Sequence, residues 1–269
     1  MSLTVCIPTF EEELNIKKCL NKLKWAKQIY LLDGNSKDKT LQIAKKFKNT
    51  KIIKLNKNIE YTKKLNFLLN LNKKKWVLML DADYVLSHEL IKEIKKLNFK
   101  KLEKEKVFAL KVKIYNKIFK TIIKENLYPR KIVIFKNQNT YYKKIGHGER
   151  LILKSKIKLL KGSIYHENLN DLYNFTKWKK NQINYSIIEG LKISNQKFTK
   201  LRIQDSIRRF PPLNIILLII YLLINKKIFI YKKAGFYYLF QRLYFETLLS
   251  FFIIQNYLKN LKDKIFFSN

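Results

Sequence analysis

Two carboxylates, Asp81 and Asp83 on either side of Ala82, directly follow the apolar run Trp76-Val-Leu-Met-Leu80. A buried strand that stops at such a pair can offer oxygen ligands to a divalent cation, which in turn neutralises a diphosphate. An isolated Asp-x-Asp is also an ordinary acidic loop, so its neighbours decide its meaning. Leu3–Ile7 runs into Pro8-Thr-Phe-Glu11, and Ile29–Asp33 into Gly34-Asn-Ser36. In an open parallel sheet, ligands sit just beyond the carboxyl ends of the strands. Three polar loops at one edge describe a crevice for a nucleoside diphosphate, in which Asp33, with Asn35 beside it, can accept hydrogen bonds from a base or ribose. His166 follows a strand-like run and is a candidate for the metal or the diphosphate.

The elements needed to hold these loops together are legible as a strand-then-helix rhythm over the first 80 residues, the pattern of a parallel α/β sheet. Glu11–Leu23 reads as a helix with Ile16, Leu20 and Leu23 on one face, behind acidic residues suited to a helix start. The turn at Gly34-Asn-Ser36 opens a helix to about Lys48. Lys51–Leu55 reads as a strand, Tyr61–Leu71 as a helix, and Ser87 as the N-cap of the next helix. From about residue 106 short apolar runs, Val107–Ile114 and Ile132–Phe135, replace the rhythm and indicate a mixed-sheet extension. The expected division is 1–205 for the α/β domain and 206–269 for a C-terminal helical region.

That last region begins with Arg208-Arg209 and Pro211-Pro212, followed by the apolar run Leu213–Ile224. A spanning helix needs about 20 apolar residues. The run is shorter, and the aromatic, lysine-interleaved segment after it suits helices lying at a membrane interface. Packing on the domain or on a partner is the competing reading. The 57 Lys and Arg against 20 Asp and Glu give a net charge of +37, which favours polyanions: nucleic acid, an anionic membrane face or phosphorylated substrates. Scattered lysine in an Asn- and Ile-rich chain is equally accounted for by coding bias. Cys6 and Cys19 form no ligand pattern, so a disulfide framework is not expected and a reducing compartment fits. The opening residues show no basic region ahead of an apolar stretch and read as a core strand, an expectation of a chain kept inside the cell.

Taken together, Val5-Cys-Ile-Pro-Thr-Phe-Glu-Glu12, Leu32-Asp-Gly-Asn-Ser-Lys-Asp-Lys-Thr40 and Trp76-Val-Leu-Met-Leu-Asp-Ala-Asp83 resemble the N-terminal motifs of family 2 glycosyltransferases. The resemblance implies a GT-A fold, Rossmann-like with a mostly parallel central sheet and helices on both faces. It also implies a nucleotide-sugar donor, usually linked to UDP, and Mg²⁺ or Mn²⁺. On that carry-over Pro8, Thr9 and Glu11 line the nucleotide site, Asp33 faces the base, Asp81 contacts the ribose side and Asp83 binds the metal. Asn66 falls where many members carry an Arg-Asn pair; Leu65 precedes it here, leaving Lys63 or Lys64 to supply the charge.

A looser similarity extends into the second half, to the bacterial glycosyltransferases of lipopolysaccharide core biosynthesis. It rests on Tyr128-Pro-Arg130, Ile134-Phe-Lys136, Gly146-His-Gly-Glu149, Tyr165-His166 and Ala234-Gly-Phe236. It implies a cell-envelope glycan acceptor, with Arg130 and His147 in acceptor or positioning roles. Glu149 is the candidate general base, since an inverting transfer needs one carboxylate to take the acceptor hydroxyl's proton. The glycines around His147 suit a loop approached closely by other groups.

The expected enzyme is metal-dependent and inverting, cytoplasmic and peripheral on the inner face of the membrane, where its basic surface meets anionic lipid. A family 2 enzyme acting on a peptide or another polymer is the nearest alternative. A nucleic-acid-binding protein would account for the charge and aromatics. No RNP, KH or helix-turn-helix pattern accompanies them, so no nucleic-acid partner is expected.

Overall fold

The computed structural model describes residues 3–266 except 74, 147 and 212. Four strands alternate with helices at the start: β1 (Leu3–Thr9), α1 (Ile16–Asn21), β2 (Ile29–Asp33), α2 (Thr40–Ala44), β3 (Thr50–Lys54), α3 (Tyr61–Leu71) and β4 (Trp76–Met79). Next come β5 (Tyr84–Leu86), α4 (His88–Lys95), α5 (Phe99–Lys104), β6 (Val107–Ile118), β7 (Thr121–Ile123) and β8 (Lys131–Lys136). β9 (Tyr141–Ile145) and β10 (Gly148–Ile152) pair as a separate ribbon, and β11 (Lys156–His166) returns to the main sheet. The main sheet runs β3-β2-β1-β4-β8-β6-β11-β5, with β7 added to β6. β3, β2, β1 and β4 are parallel, as their alternation with helices requires; the switch comes at β8, antiparallel to both β4 and β6. This is the mixed extension expected beyond residue 106.

The inner parallel strands β1, β2 and β4 are buried on both faces, so they read as continuous apolar runs, whereas β3 at the sheet edge is only partly buried. Val5, Ile7, Leu31 and Leu78 contribute to one core with α1 and α4, and Cys6, Leu32 and Val77 to another with α3. The first two helices are shorter than their periodicity predicts. Glu11 has φ of 54°, and the N–H groups of Glu11, Glu12 and Glu13 donate to Ser36 Oγ, Thr40 Oγ1 and Asp38 Oδ2 instead of entering a helix. Ser87 caps α4 as expected, its Oγ accepting from Leu90 N at 3.1 Å. At β11 a bulge between Leu159 and Ser163 frees the N–H groups of Lys161 and Gly162, which donate to the Glu93 carboxylate. A Cβ on Gly162 would lie 2.4 Å from Leu90 Cα, so only glycine allows α4 this approach.

The remaining helices are α6 (Leu169–Tyr173), α7 (Phe175–Asn195), α8 (Ile203–Ile207), α9 (Leu213–Ile220) and α10 (Lys232–Phe266). The chain forms two compact units: Met1–Lys144 with Glu149–Tyr173, and Ile145–Gly148 with Asn174–Asn269. The division thus falls at 173/174, and the expected boundary at 205/206 lies inside the second unit. α7 joins that unit because its Ile193 packs with Phe245, Leu249 and Ile253 of α10. A π turn (Tyr221–Asn225) and a 3₁₀ turn (Ile228–Tyr231) link α9 to α10. No single helix among the described residues is long and apolar enough to cross a membrane. The pair Leu213–Asn225 and Ile228–Asn260, bent by 70°, meets that criterion only when taken together.

Candidate active site

The loops after β1 and β2 are stitched into one wall. Thr9 pairs with Asp33 in the β1–β2 register, and Thr9 O accepts from Gly34 N at 2.9 Å. Asp33 is fully buried, and its carboxylate closes its own turn, accepting from Ser36 N at 2.9 Å and Ser36 Oγ at 2.5 Å. The residue expected to face a base therefore lies inside the wall and fixes the turn's shape. Asn35, at φ 70°, donates from Nδ2 to Asn56 O. Pro8 is buried in β1, and Glu11 O accepts from Asn170 Nδ2. Thr9 Oγ1 is buried without a hydrogen-bond partner.

Of the two lysines offered as the missing charge, Lys64 is buried and Lys63 exposed. Lys64 Nζ lies 3.5 Å from Thr9 O, and a Cβ on Gly34 would come within 2.4 Å of it. Burial pushes the Lys64 pKa down, against the pull of Asp33 and Glu12. Asn66 is engaged elsewhere: Nδ2 donates to Tyr142 O at 3.0 Å, and Oδ1 accepts from Tyr142 N at 2.7 Å. Both ends of its amide fasten β9 to α3, an arrangement different from the expected nucleotide contact.

Beyond β4, the two aspartates and the intervening buried Ala82 have different surroundings. Asp81 Oδ1 accepts from the Tyr61 hydroxyl, and Oδ2 pairs with Lys131 Nζ at 3.2 Å. Burial pushes the Asp81 pKa up, but Lys131 and the Tyr61 hydrogen bond outweigh it and hold the carboxyl below its usual range. Asp83 Oδ2 lies 2.9 Å from His166 Nε2, and both side chains are largely buried. The two residues are brought together by register, since antiparallel pairing of β11 with β5 sets His166 opposite Tyr84. Tyr84 and Tyr128 present their rings edge-on to the imidazole, each at 5.5 Å. Burial disfavours a charged His166, yet Asp83 outweighs it and raises the pKa above the ordinary 6.5.

These residues fit a divalent cation. Asp83 Oδ1 and His166 Nδ1 are buried with no hydrogen-bond partner, an unusual and costly state for polar atoms. No group of three or more His, Cys, Asp or Glu able to hold a metal occurs among the described residues. A cation here would rest on the Asp83–His166 pair alone, and carboxylate and imidazole donors completed by phosphate oxygens and water suit Mg²⁺ or Mn²⁺.

Glu149 lies half-buried on β10; burial and then Asp81 are the main causes that raise the Tyr61 and Tyr142 pKa values, and the Glu149 charge adds a smaller push in the same direction, which places it in the same electrostatic field as Asp81. Of the glycines around His147, Gly146 has φ of 63°, whereas a Cβ on Gly148 would meet nothing within 4 Å. A tight loop therefore needs Gly146 but not Gly148. His147 itself lies outside the described residues. Arg130 is half-buried, immediately before Lys131. Tyr61 and Lys131 went unnoticed in the sequence. Among 57 basic and 16 Tyr residues, no local signal separates these two from the rest.

The profile of Glycosyl transferase family 2 matches residues 4–150, more than half of the chain and the stretch holding all three N-terminal loops and Glu149. The chain belongs to this family. As a family 2 glycosyltransferase it has the GT-A fold, and it superposes on the mannosyltransferase PcManGT from Pyrobaculum calidifontis, solved with GDP-Man and Mn²⁺, with a TM-score of 0.52. That match has 12% identity and covers 97% of this chain and 87% of the other. S. aureus TarS matches with a TM-score of 0.46 and 17% identity, covering 87% of this chain. The glycosyltransferase spans 46% of that longer TarS chain. It spans 92% of a TarS 1–349 fragment solved with UDP, at 15% identity, a TM-score of 0.47 and 97% coverage of this chain. No curated protein matches the sequence.

Proposed function

We propose that the enzyme transfers a sugar from a UDP-linked donor to a cell-envelope glycan, of lipopolysaccharide-core type, with inversion at the anomeric carbon. The observation that carries the donor half is the Asp83–His166 pair, with an unpartnered buried oxygen on Asp83, at the edge where the loops after β1, β2 and β4 converge. Asp83 and His166 would hold the divalent cation. When bound, that cation supplies positive charge to the departing diphosphate. The Asp33–Ser36 turn, with Thr9 and Glu11, forms the wall against which the nucleoside lies, and Lys64 behind it adds positive charge. Tyr61 and Lys131 fix the Asp81 carboxylate, which keeps it ionised for the ribose side of the donor. Glu149 accepts the proton of the acceptor hydroxyl as its oxygen attacks opposite the diphosphate. Only one such carboxylate is needed, and a single displacement inverts the configuration.

The acceptor class rests on the second-half resemblance. Two of its residues, Tyr128 and His166, lie together as an edge-on ring pair. Arg130 and His147 are assigned to the acceptor on the same grounds. Slow donor hydrolysis tests the donor assignment without an acceptor. UDP- and GDP-sugars are incubated with Mn²⁺ or EDTA, and the expected result is hydrolysis of a UDP-sugar that EDTA stops. Turnover of a GDP-sugar alone, or turnover unaffected by EDTA, would overturn it.

A further inference from the structure

Beside its apolar core, the second compact unit buries a group of charges: Arg208 pairs with Asp205 at 3.1 Å and with Glu246 at 3.0 Å, and both acidic residues are buried. Asn214 of α9 is buried and faces this group, with Nδ2 3.5 Å from Glu246 Oε2 and Ser250 Oγ 3.4 Å from its Oδ1. The solvent-facing side of α9 and the turns after it is apolar. On α9, Leu213, Ile216, Leu217 and Ile220 are all exposed. The turns after it expose Ile224 (66%), Phe229 (50%) and Ile230 (56%).

α10 continues the same surface. Phe236, Phe240, Phe251, Ile254 and Leu258 are exposed, at spacings that keep them along one side of the helix. At 1.5 Å per residue this stripe is about 33 Å long. Between Ala234 and Leu258 the only charged residues are Arg242 and Glu246, and they pair with each other at 3.3 Å. Phe236, Leu239, Phe240, Leu243 and Thr247 of the same helix border an apolar recess of about 420 Å³. Exposed apolar surface this continuous marks a protein or membrane contact.

Charge selects between those partners. Lys226, Lys227, Lys232 and Lys233 cluster at one end of the stripe and Lys259 lies at the other, with no exposed acidic residue between Ala234 and Leu258. A second copy seated by a two-fold axis would bring the same lysines to the interface, on a chain of net charge +37. An anionic bilayer supplies the opposite charge and a hydrocarbon boundary for the Phe, Ile and Leu side chains.

We infer that the outer faces of α9 and α10, with the turns joining them, are a docking surface for an anionic lipid bilayer, the aromatic and aliphatic side chains entering at headgroup depth and the lysines resting on the phosphates. This assignment is independent of the donor and acceptor readings, because none of its residues belongs to the candidate active site.

The test uses the full-length enzyme and vesicles of phosphatidylcholine, alone or mixed with phosphatidylglycerol. Flotation should show partition at least tenfold stronger onto the anionic vesicles. Replacing Lys226, Lys227, Lys232 and Lys233 together by Gln should weaken it by about 10²-fold or more, at roughly fivefold per lysine. Phe229→Asp with Phe251→Asp should weaken binding to both vesicle types without altering the far-ultraviolet circular dichroism or the affinity for UDP.

Depth is read separately, from a polarity-sensitive fluorophore on Phe251→Cys or Ile230→Cys. Both native thiols, Cys6 and Cys19, are buried and held protonated, the Cys6 pKa being pushed up to about 12, so labelling is selective. Brominated acyl chains should quench both probes. Equal partition onto both vesicle types, or no quenching at positions 230 and 251, would overturn the proposal. So would a vesicle-free dimer that Phe251→Asp converts to monomer in a protein that does not float.

Discussion

Replacing Asp83 by Asn alters one charge at the residue on which the metal assignment depends. The amide keeps the side chain's shape and can still meet His166 Nε2, now 2.9 Å from Asp83 Oδ2, but loses the negative charge and the second anionic oxygen. Removing even a group that supports a metal's ligands lowers affinity roughly 10–100-fold. Asp83 is one of the two protein donors identified among the described residues, so the loss in Mn²⁺-dependent UDP binding should be at least about 10²-fold, near 2.7 kcal/mol. Titration calorimetry of UDP with Mn²⁺ and with EDTA reads it. Wild-type affinity should collapse in EDTA, and the variant should already sit near that EDTA value. The same substitution has a second signature in stability. Because Asp83 raises the His166 pKa in the folded state, their pairing stabilises the protein fully below the unfolded value near 6.5 and fades as pH rises through the folded value. The variant should therefore lose most stability in acid and approach wild type in base. Unchanged, EDTA-sensitive UDP affinity in Asp83→Asn would refute the reasoning.

Glu149→Gln should leave UDP affinity intact while lowering transfer roughly 10²–10⁴-fold; a near wild-type rate with the acceptor would place the base elsewhere, with Glu167 or Asp171 next. Mn²⁺ affinity in the presence of UDP should rise with pH and level off above the raised His166 value, because the metal must displace the ring proton; a flat profile in calorimetry at pH 5.5–8.5 would exclude His166 as a ligand. Gly162→Ala drives a Cβ to 2.4 Å from Leu90 Cα and 2.5 Å from Leu90 N, backbone atoms that cannot turn aside. It should cost about 2–3 kcal/mol in urea unfolding, and a loss under 0.5 kcal/mol would show that β11 and α4 separate more easily than the structure implies.

The strands that form the floor of the site were legible because burial on both faces leaves an apolar run bounded by polar loops. β2 and α3 fall at the residues their patterns predict, and Ser87 caps α4 through the hydroxyl expected of it. Helix extent was less legible where side chains compete for backbone. Ser36 closes the Asp33 turn, and Asp38 accepts from Thr40 N at 3.0 Å, so α2 begins at Thr40 rather than near Ser36. The left-handed Glu11, whose N–H donates to Ser36 Oγ in the adjoining loop, delays α1 in the same way.

By itself, then, the sequence determined the order of strands and helices, the three loops at their carboxyl ends and the presence of Asp81 and Asp83, all of which depend on neighbours close along the chain. Only the tertiary structure decided what those carboxylates meet. His166 reaches Asp83 across 83 residues through the pairing of β11 with β5, Lys131 reaches Asp81 across 50 from the head of β8, and Asn66 is drawn to β9 by the Tyr142 backbone. The same holds for the helical unit, where Arg208 and Glu246 meet across 38 residues, and where packing buries Phe245, Leu249 and Ile253 of α10 while Phe251, Ile254 and Leu258 stay exposed. These partnerships are set by strand register and helix packing, and local spacing carries no record of either.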